Sequence, residues 1–218
     1  MKKRIESAIS EVGATLVSMD FSNQRLYEQW LAQAYFFVKH STPMLALSAG
    51  LSVDDRNYHI RCIDHLSEEK GHDKMLLNDL KFLGRSIDEF QEMASTQALY
   101  QTQYYWIEHK SPKSFLGYIF LLEGLAVHIG KAMLDQVSGF KGNSFLRNHA
   151  EDDVDHLEKA FLMFDQLTLS EQQAVADNCD LAAAMYISML QEIKSSLALK
   201  KPPLQQSSQT HYTGELLT

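Results

Sequence analysis

Cysteine, proline and positive charge are all scarce in this sequence. Its two cysteines, Cys62 and Cys179, each lack a neighbouring cysteine at ligand spacing. That excludes a disulfide scaffold and makes a reducing, cytoplasmic setting the expectation. Only four prolines occur. Pro43 and Pro112 fall where helices would start, and Pro202 and Pro203 open a polar tail. A formal charge of −8 argues against a nucleic-acid binder. Long apolar runs are missing as well. The longest, Phe115 to Ile129, is short for a membrane span and contains Glu123 and His128. The basic start Met1-Lys2-Lys3-Arg4 leads into no apolar stretch, so neither a signal peptide nor a membrane partner is expected.

What remains is helical periodicity over almost the whole chain and no lasting strand alternation. The pattern predicts an all-α, compact bundle of seven to nine helices in residues 1–199 and a mobile tail over 200–218. Helices are expected near 4–18, 22–39, 43–50, 54–83, 86–93, 95–109, 113–137, 144–166 and 170–197. Ser86 with Glu89 and Ser170 with Gln173 have capping-box spacing. Ser111-Pro112 suits an N-cap followed by the first helical position, and Gly84 suits a helix stop. Apolar positions in 170–197 that look exposed leave room for a homodimer.

The chemistry concentrates in three segments. In Asn148-His149-Ala150-Glu151-Asp152-Asp153-Val154-Asp155-His156, steps of four and three put His149, Asp153 and His156 within about 40° of each other on a helix. Phe145, Ala160 and Phe164 lie on the same flank, so the stripe should face inward. Buried imidazoles and carboxylates need partners, and a cation serves all three. The alternative is an amphipathic helix with hydrogen-bonded histidines and a wet Asp153.

The segment Asp64-His65-Leu66-Ser67-Glu68-Glu69-Lys70-Gly71-His72 repeats the spacing as His65, Glu69 and His72. Glu69 and His72 are the expected ligands, with Glu68 as the substitute acid and His65 as an outer hydrogen-bond partner. A charged, solvent-facing helical turn is the alternative. The third segment is Leu122-Glu123-Gly124, in an apolar helix that should be buried nearly all round. A lone carboxylate there is costly to ionise, and coordination to a metal removes the conflict. A protonated structural Glu123 is the other solution. Gly117, Gly124 and Gly130 in this helix suggest close approach by another helix or a ligand.

Glu69, His72, Glu123, His149, Asp153 and His156 supply three carboxylates and three imidazoles. That set can hold two first-row metal ions with positions left open, and oxygen and nitrogen donors without thiolate favour iron or manganese. His40, His59, His109 and His128 have no paired acid at ligand spacing and are read as structural or surface groups. Clues to a substrate are few. Tyr104, Tyr105 and Trp106 could line a pocket or simply pack. Arg61 and Arg147 could hold a carboxylate or face solvent.

The combination Glu69-x2-His72, Leu122-Glu123-Gly124 and His149-x3-Asp153-x2-His156 resembles the haem-oxygenase-like di-iron oxidases and oxygenases, the iron-containing redox enzymes. Flanking residues agree: Glu68-Glu69-Lys70-Gly71-His72-Asp73 with Asp79-Leu80 downstream, and Gly117-Tyr118 ahead of Leu122. The resemblance spans about residues 25–195. It implies haem-oxygenase-like topology and two Fe ions held by the six residues just named, with Mn able to take one place. It also implies O2 as co-substrate, an external reductant, and oxidation of a small organic metabolite of the amino-acid or fatty-acid class. Two other functions remain open on such a bundle. One is a non-catalytic metal-binding protein. The other is a thiaminase-II-like hydrolase, which would need a cysteine nucleophile in its pocket.

Overall fold

The computed structural model describes residues 1–199, without the side chains of 151–156, 158, 159 and 199. The tail expected over 200–218 lies outside the described residues. Among those described there are nine α-helices, two short 3-10 helices and no strand. The helices are α1 (Lys2–Val17), α2 (Gln24–Val38), α3 (Ser41–Gly50), α4 (Arg56–Glu69), α5 (His72–Phe82), α6 (Ala94–His109), α7 (Leu116–Gln136), α8 (Ser144–Asp165) and α9 (Leu169–Leu199). The all-α bundle foreseen from periodicity is what forms.

Helix α1 shows how pattern becomes packing. Its buried residues Ile5, Ala8, Ile9, Val12, Gly13 and Leu16 follow the 3-4 spacing of one helical stripe. That stripe packs on α7 and α9. Helix α7 is the axis of the bundle, with α1, α8 and α9 around it, and residues from Leu116 to Leu125 are buried on nearly every side. Its three glycines make room for helices, not for a ligand. A Cβ on Gly117 would stand 2.2 Å from the Val175 carbonyl oxygen of α9. One on Gly124 would meet Ile9 of α1, and one on Gly130 would meet Ala150 of α8. By length and composition the stretch Pro112–Gln136 could cross a membrane, but most of its apolar window is buried in the bundle.

Three sequence expectations need correction. The single helix expected over 54–83 is two helices. Lys70 is extended and Gly71 is left-handed, at φ 101°. Glycine adopts that conformation without a Cβ penalty, so the chain turns a corner there. The helix expected over 86–93 is one 3-10 turn, Ile87–Glu89. Its Ser86–Glu89 capping box forms as expected, but none of the turn's residues is fully buried, and a single turn that packs only Ile87 on the core does not propagate. The last helix starts one residue early, at Leu169, and its capping pair is Thr168 with Glu171 rather than Ser170 with Gln173. The Glu171 carboxylate accepts from the Thr168 N–H at 2.8 Å, and the Thr168 hydroxyl accepts from the Glu171 N–H at 3.3 Å.

Gly84 does end α5, by a Schellman closure. The Arg85 N–H donates to the Leu80 carbonyl at 2.9 Å and the Gly84 N–H to Lys81 at 3.0 Å, with Gly84 at φ 78°.

Candidate metal centre

Four helices bring the candidate ligands together. Glu69 is the last residue of α4 and His72 the first of α5. The Gly71 corner, not a shared helical face, sets Glu69 Oε2 3.3 Å from His72 Nδ1. His149 arrives from α8, its ring centroid 4.5 Å from that of His72. One ligand atom each from Glu69, His72 and His149 falls within a 4.8 Å group, the separation a shared cation requires. Glu123 enters from α7. It is 6% exposed, and its Oε1 lies 3.0 Å from His65 Nε2, which is itself 3.6 Å from Glu69 Oε1. His65 therefore ties Glu123 to the same cluster. Asp153 and His156 also belong to α8, but their side chains lie outside the described residues.

The donor set fits iron on chemical grounds. His149 Nδ1 stands 2.9 Å from the Phe145 carbonyl oxygen. A carbonyl can only accept, so in the neutral ring Nδ1 carries the proton and Nε2 keeps its lone pair for a cation. Ring contact with Phe145, centroids 4.1 Å apart, holds the imidazole in place. The Glu123 carboxylate is sealed from solvent and close to a charged or chargeable group on α4. Buried acids and imidazoles without thiolate are the donors of a non-haem iron or manganese site.

Electrostatics couple the groups. Burial by itself opposes charge on His65. Its interactions with Glu123 and Glu69 outweigh that, and its pKa rises to about 9. Burial likewise works against the Glu69 carboxylate, but His65 and His72 hold its pKa far below the usual carboxylate range. Tyr118, fully buried and beside this cluster, has its phenol pushed well above normal by burial, with the Glu69 charge adding to it.

The sequence understates Arg61. It is 11% exposed, not solvent-facing, with Nη2 4.0 Å from Glu123 Oε1 and Nη1 3.7 Å from Glu68 Oε2. Its position four residues before His65 on an inward helical face was the available signal. Arg147 is exposed and donates to Asn143. In the sequence Asp79 stands out only as part of a flanking motif. Its buried carboxylate accepts from the Ser144 N–H (3.0 Å), the Ser144 hydroxyl (2.7 Å) and the Phe145 N–H (2.9 Å), and so caps α8. Of the other histidines, His40 pairs with the Tyr104 hydroxyl and stacks on Tyr100, and His59 meets the Ala49 carbonyl. Tyr105 is exposed.

Beside the cluster lies a cavity of about 100 Å³. Its polar end is formed by His65, Glu69, Glu123 and His149, and its remaining wall is largely apolar.

The sequence profile of the iron-containing redox enzymes, a haem-oxygenase-like group, matches residues 28–187. The chain belongs to that family. No curated protein sequence matches it. Solved structures share the fold of this chain at low identity. A domain of unknown function with a heme oxygenase-like fold from Shewanella denitrificans OS217 superposes with a TM-score of 0.82 at 19% identity, covering 97% of this chain and 98% of that one. A TenA homologue from Pyrococcus furiosus gives 0.72 at 11% identity, over 88% and 98% of the two chains. A CADD-like protein of unknown function from Nostoc punctiforme PCC 73102 gives 0.63 at 12%, over 91% and 98%. The haem-oxygenase-like topology expected from the motifs is therefore the fold of this chain.

Proposed function

We propose that this protein is a non-haem di-iron oxidase or oxygenase that uses O2 and an external reductant to oxidise a small organic metabolite. The observation that carries the reading is the convergence of Glu69, His72 and His149 within 4.8 Å at the polar end of an apolar cavity. Glu123 joins them through His65, and Asp153 and His156 of α8 would complete six ligands for two ions, with Mn able to replace Fe at one. Iron held there would supply electrons to dioxygen.

The chain's own groups have definable tasks in this scheme. Glu69 and Glu123 offset the charge of the ions. The Phe145 carbonyl fixes the His149 tautomer and leaves Nε2 as donor. His65, between two acids, holds or releases a proton at Nε2 as the carboxylates change their charge balance. The apolar wall excludes water from the substrate.

The likeness in fold to TenA homologues keeps a thiaminase-II-like hydrolase in view. Such a hydrolase needs a reactive cysteine. Cys62 and Cys179 are buried, neither belongs to the cavity wall, and burial raises both thiols, Cys179 to about 12. The thiolate is the nucleophile, so these cysteines suit packing and not attack. A metal-binding protein without turnover is the remaining alternative.

Anaerobic titration with Fe(II) tests the proposal. About two irons should bind per chain, and Glu69→Ala and His149→Ala should each lose iron while keeping helicity. Wild-type protein that takes up no iron would overturn it. Iron uptake with no oxygen-dependent consumption across a panel of amino acids and fatty acids would favour the non-catalytic alternative.

A further inference from the structure

Tyr118 stands out among the groups that line the cavity. It lies on α7, five residues before Glu123, and is 2% exposed. Its ring stacks on Phe115, with centroids 5.5 Å apart, and forms part of the cavity wall. Its hydroxyl has no hydrogen-bond partner among the described residues. The neighbouring Tyr186 hydroxyl differs, because it accepts from Trp30 Nε1 at 3.2 Å. A buried hydroxyl left unpaired is destabilising, and native structures retain one where a ligand or water satisfies it.

The rest of the wall restricts what that ligand can be. Beyond the polar end it is made by residues such as Phe37, Val38, Leu45, Leu125, Ile129 and Met133. Among the described residues, no lysine or arginine lines it. The acids at the polar end belong to the proposed metal centre, so an ammonium in the apolar part would find hydroxyls and rings along the wall but no carboxylate of its own. Burying a cation without an acceptor of opposite charge is strongly unfavourable. An apolar cavity somewhat larger than this one holds benzene, so about 100 Å³ suits a body of roughly four or five carbons before the walls adjust.

We infer that Tyr118 is a specificity-determining residue, its hydroxyl donating to the single polar terminus of a small substrate whose body is uncharged hydrocarbon. The inference deepens the proposed oxidase reading by selecting monofunctional apolar molecules over amino acids. It places the reacting hydrocarbon between α7 and the α4–α8 ligand cluster, with the acceptor of the substrate fixed by the phenol.

Pentan-2-one, which accepts hydrogen bonds and carries no charge, is the probe, and norvaline, with a similar chain plus an ammonium, is the counter-probe. Binding is followed by calorimetry and by protein NMR shifts, on full-length protein with and without anaerobic Fe(II), for wild type and Tyr118→Phe. Pentan-2-one should bind wild type in both metal states, and norvaline should bind at least tenfold more weakly to the iron-loaded protein. Tyr118→Phe should weaken pentan-2-one about fivefold, leave iron stoichiometry unchanged and leave Tm unchanged or higher, because it removes an unpaired hydroxyl. Equal affinity of wild type and Tyr118→Phe, or tighter binding of norvaline, overturns the inference and leaves the metal reading standing. Failure of iron binding with Tyr118-dependent pentan-2-one binding intact does the reverse.

Discussion

His72 and Asp79 stand two turns apart on one face of α5, so the helix that offers one candidate ligand also caps the helix that offers another. Asp79 fixes the first turn of α8 through Ser144 and Phe145, and Phe145 in turn fixes His149. Asp79→Ala should cost about 2 kcal/mol of stability, as expected for loss of a charged helix cap. It should also weaken iron binding, although Asp79 is no ligand. Urea unfolding and Fe(II) titration of the same variant check both. Full iron affinity in a destabilised Asp79→Ala would break the link between cap and ligand.

The acid–imidazole cluster predicts a stability profile for chelator-treated protein. His65 has its pKa raised from 6.5 to about 9, so its contribution is complete below 6.5 and disappears as pH rises through about 9. Glu69 has its pKa lowered from 4.5, so its contribution is complete above 4.5 and is lost as pH falls further. Thermal unfolding should therefore show this contribution at full strength between about 4.5 and 6.5, with an alkaline decline that His65→Gln flattens. An unchanged alkaline limb in His65→Gln would assign the decline to other groups.

The glycines of α7 should differ sharply on substitution. Gly117→Ala drives a Cβ against the backbone of α9, with Val175 O at 2.2 Å and Cys179 N at 2.6 Å. Backbone cannot step aside without moving the helix, so a loss of about 3 kcal/mol is expected. Gly124→Ala meets the Ile9 side chain, its Cδ1 at 2.5 Å and its two Cγ atoms at 3.1 and 3.2 Å, and should cost less because side chain yields more readily than backbone. Gly139 faces open space and is neutral to Ala on steric grounds. Chemical denaturation of the three variants gives the order directly.

The start of α9 separates what pattern suggests from what geometry does. Thr168→Ala should cost about 1 kcal/mol through loss of the bonds its hydroxyl makes with the Glu171 N–H and carboxylate. Ser170→Ala should cost little by comparison. Equal losses in denaturant midpoint would return the cap to Ser170.

Much of this molecule was legible in the sequence because helical spacing and burial coincide. The stripes on α1 and α7 and the stop at Gly84 follow from side-chain chemistry within a few residues. The convergence of Glu69, His72 and His149 was legible for a partly different reason than the one that operates. Spacing along a continuous helix pointed to Glu69 and His72 together, whereas a left-handed Gly71 brings them into contact. Arg61 and Asp79 were harder to weigh, because their partners lie on other helices and local pattern carries no record of them. Tyr118 is hidden in the sequence for a different reason. A tyrosine in an apolar helix looks like core until its hydroxyl is found without a partner.

The corner at Lys70-Gly71 bears on how relatives should be sought. Where a turn of helix joins two ligands, the interval between them is fixed at three or four; where a bend joins them, a loop one residue longer or shorter can deliver the same pair. Searches that demand Glu-x2-His will discard distant homologues whose bend has another length, and a pattern with a variable gap anchored on the acid and the glycine will keep them.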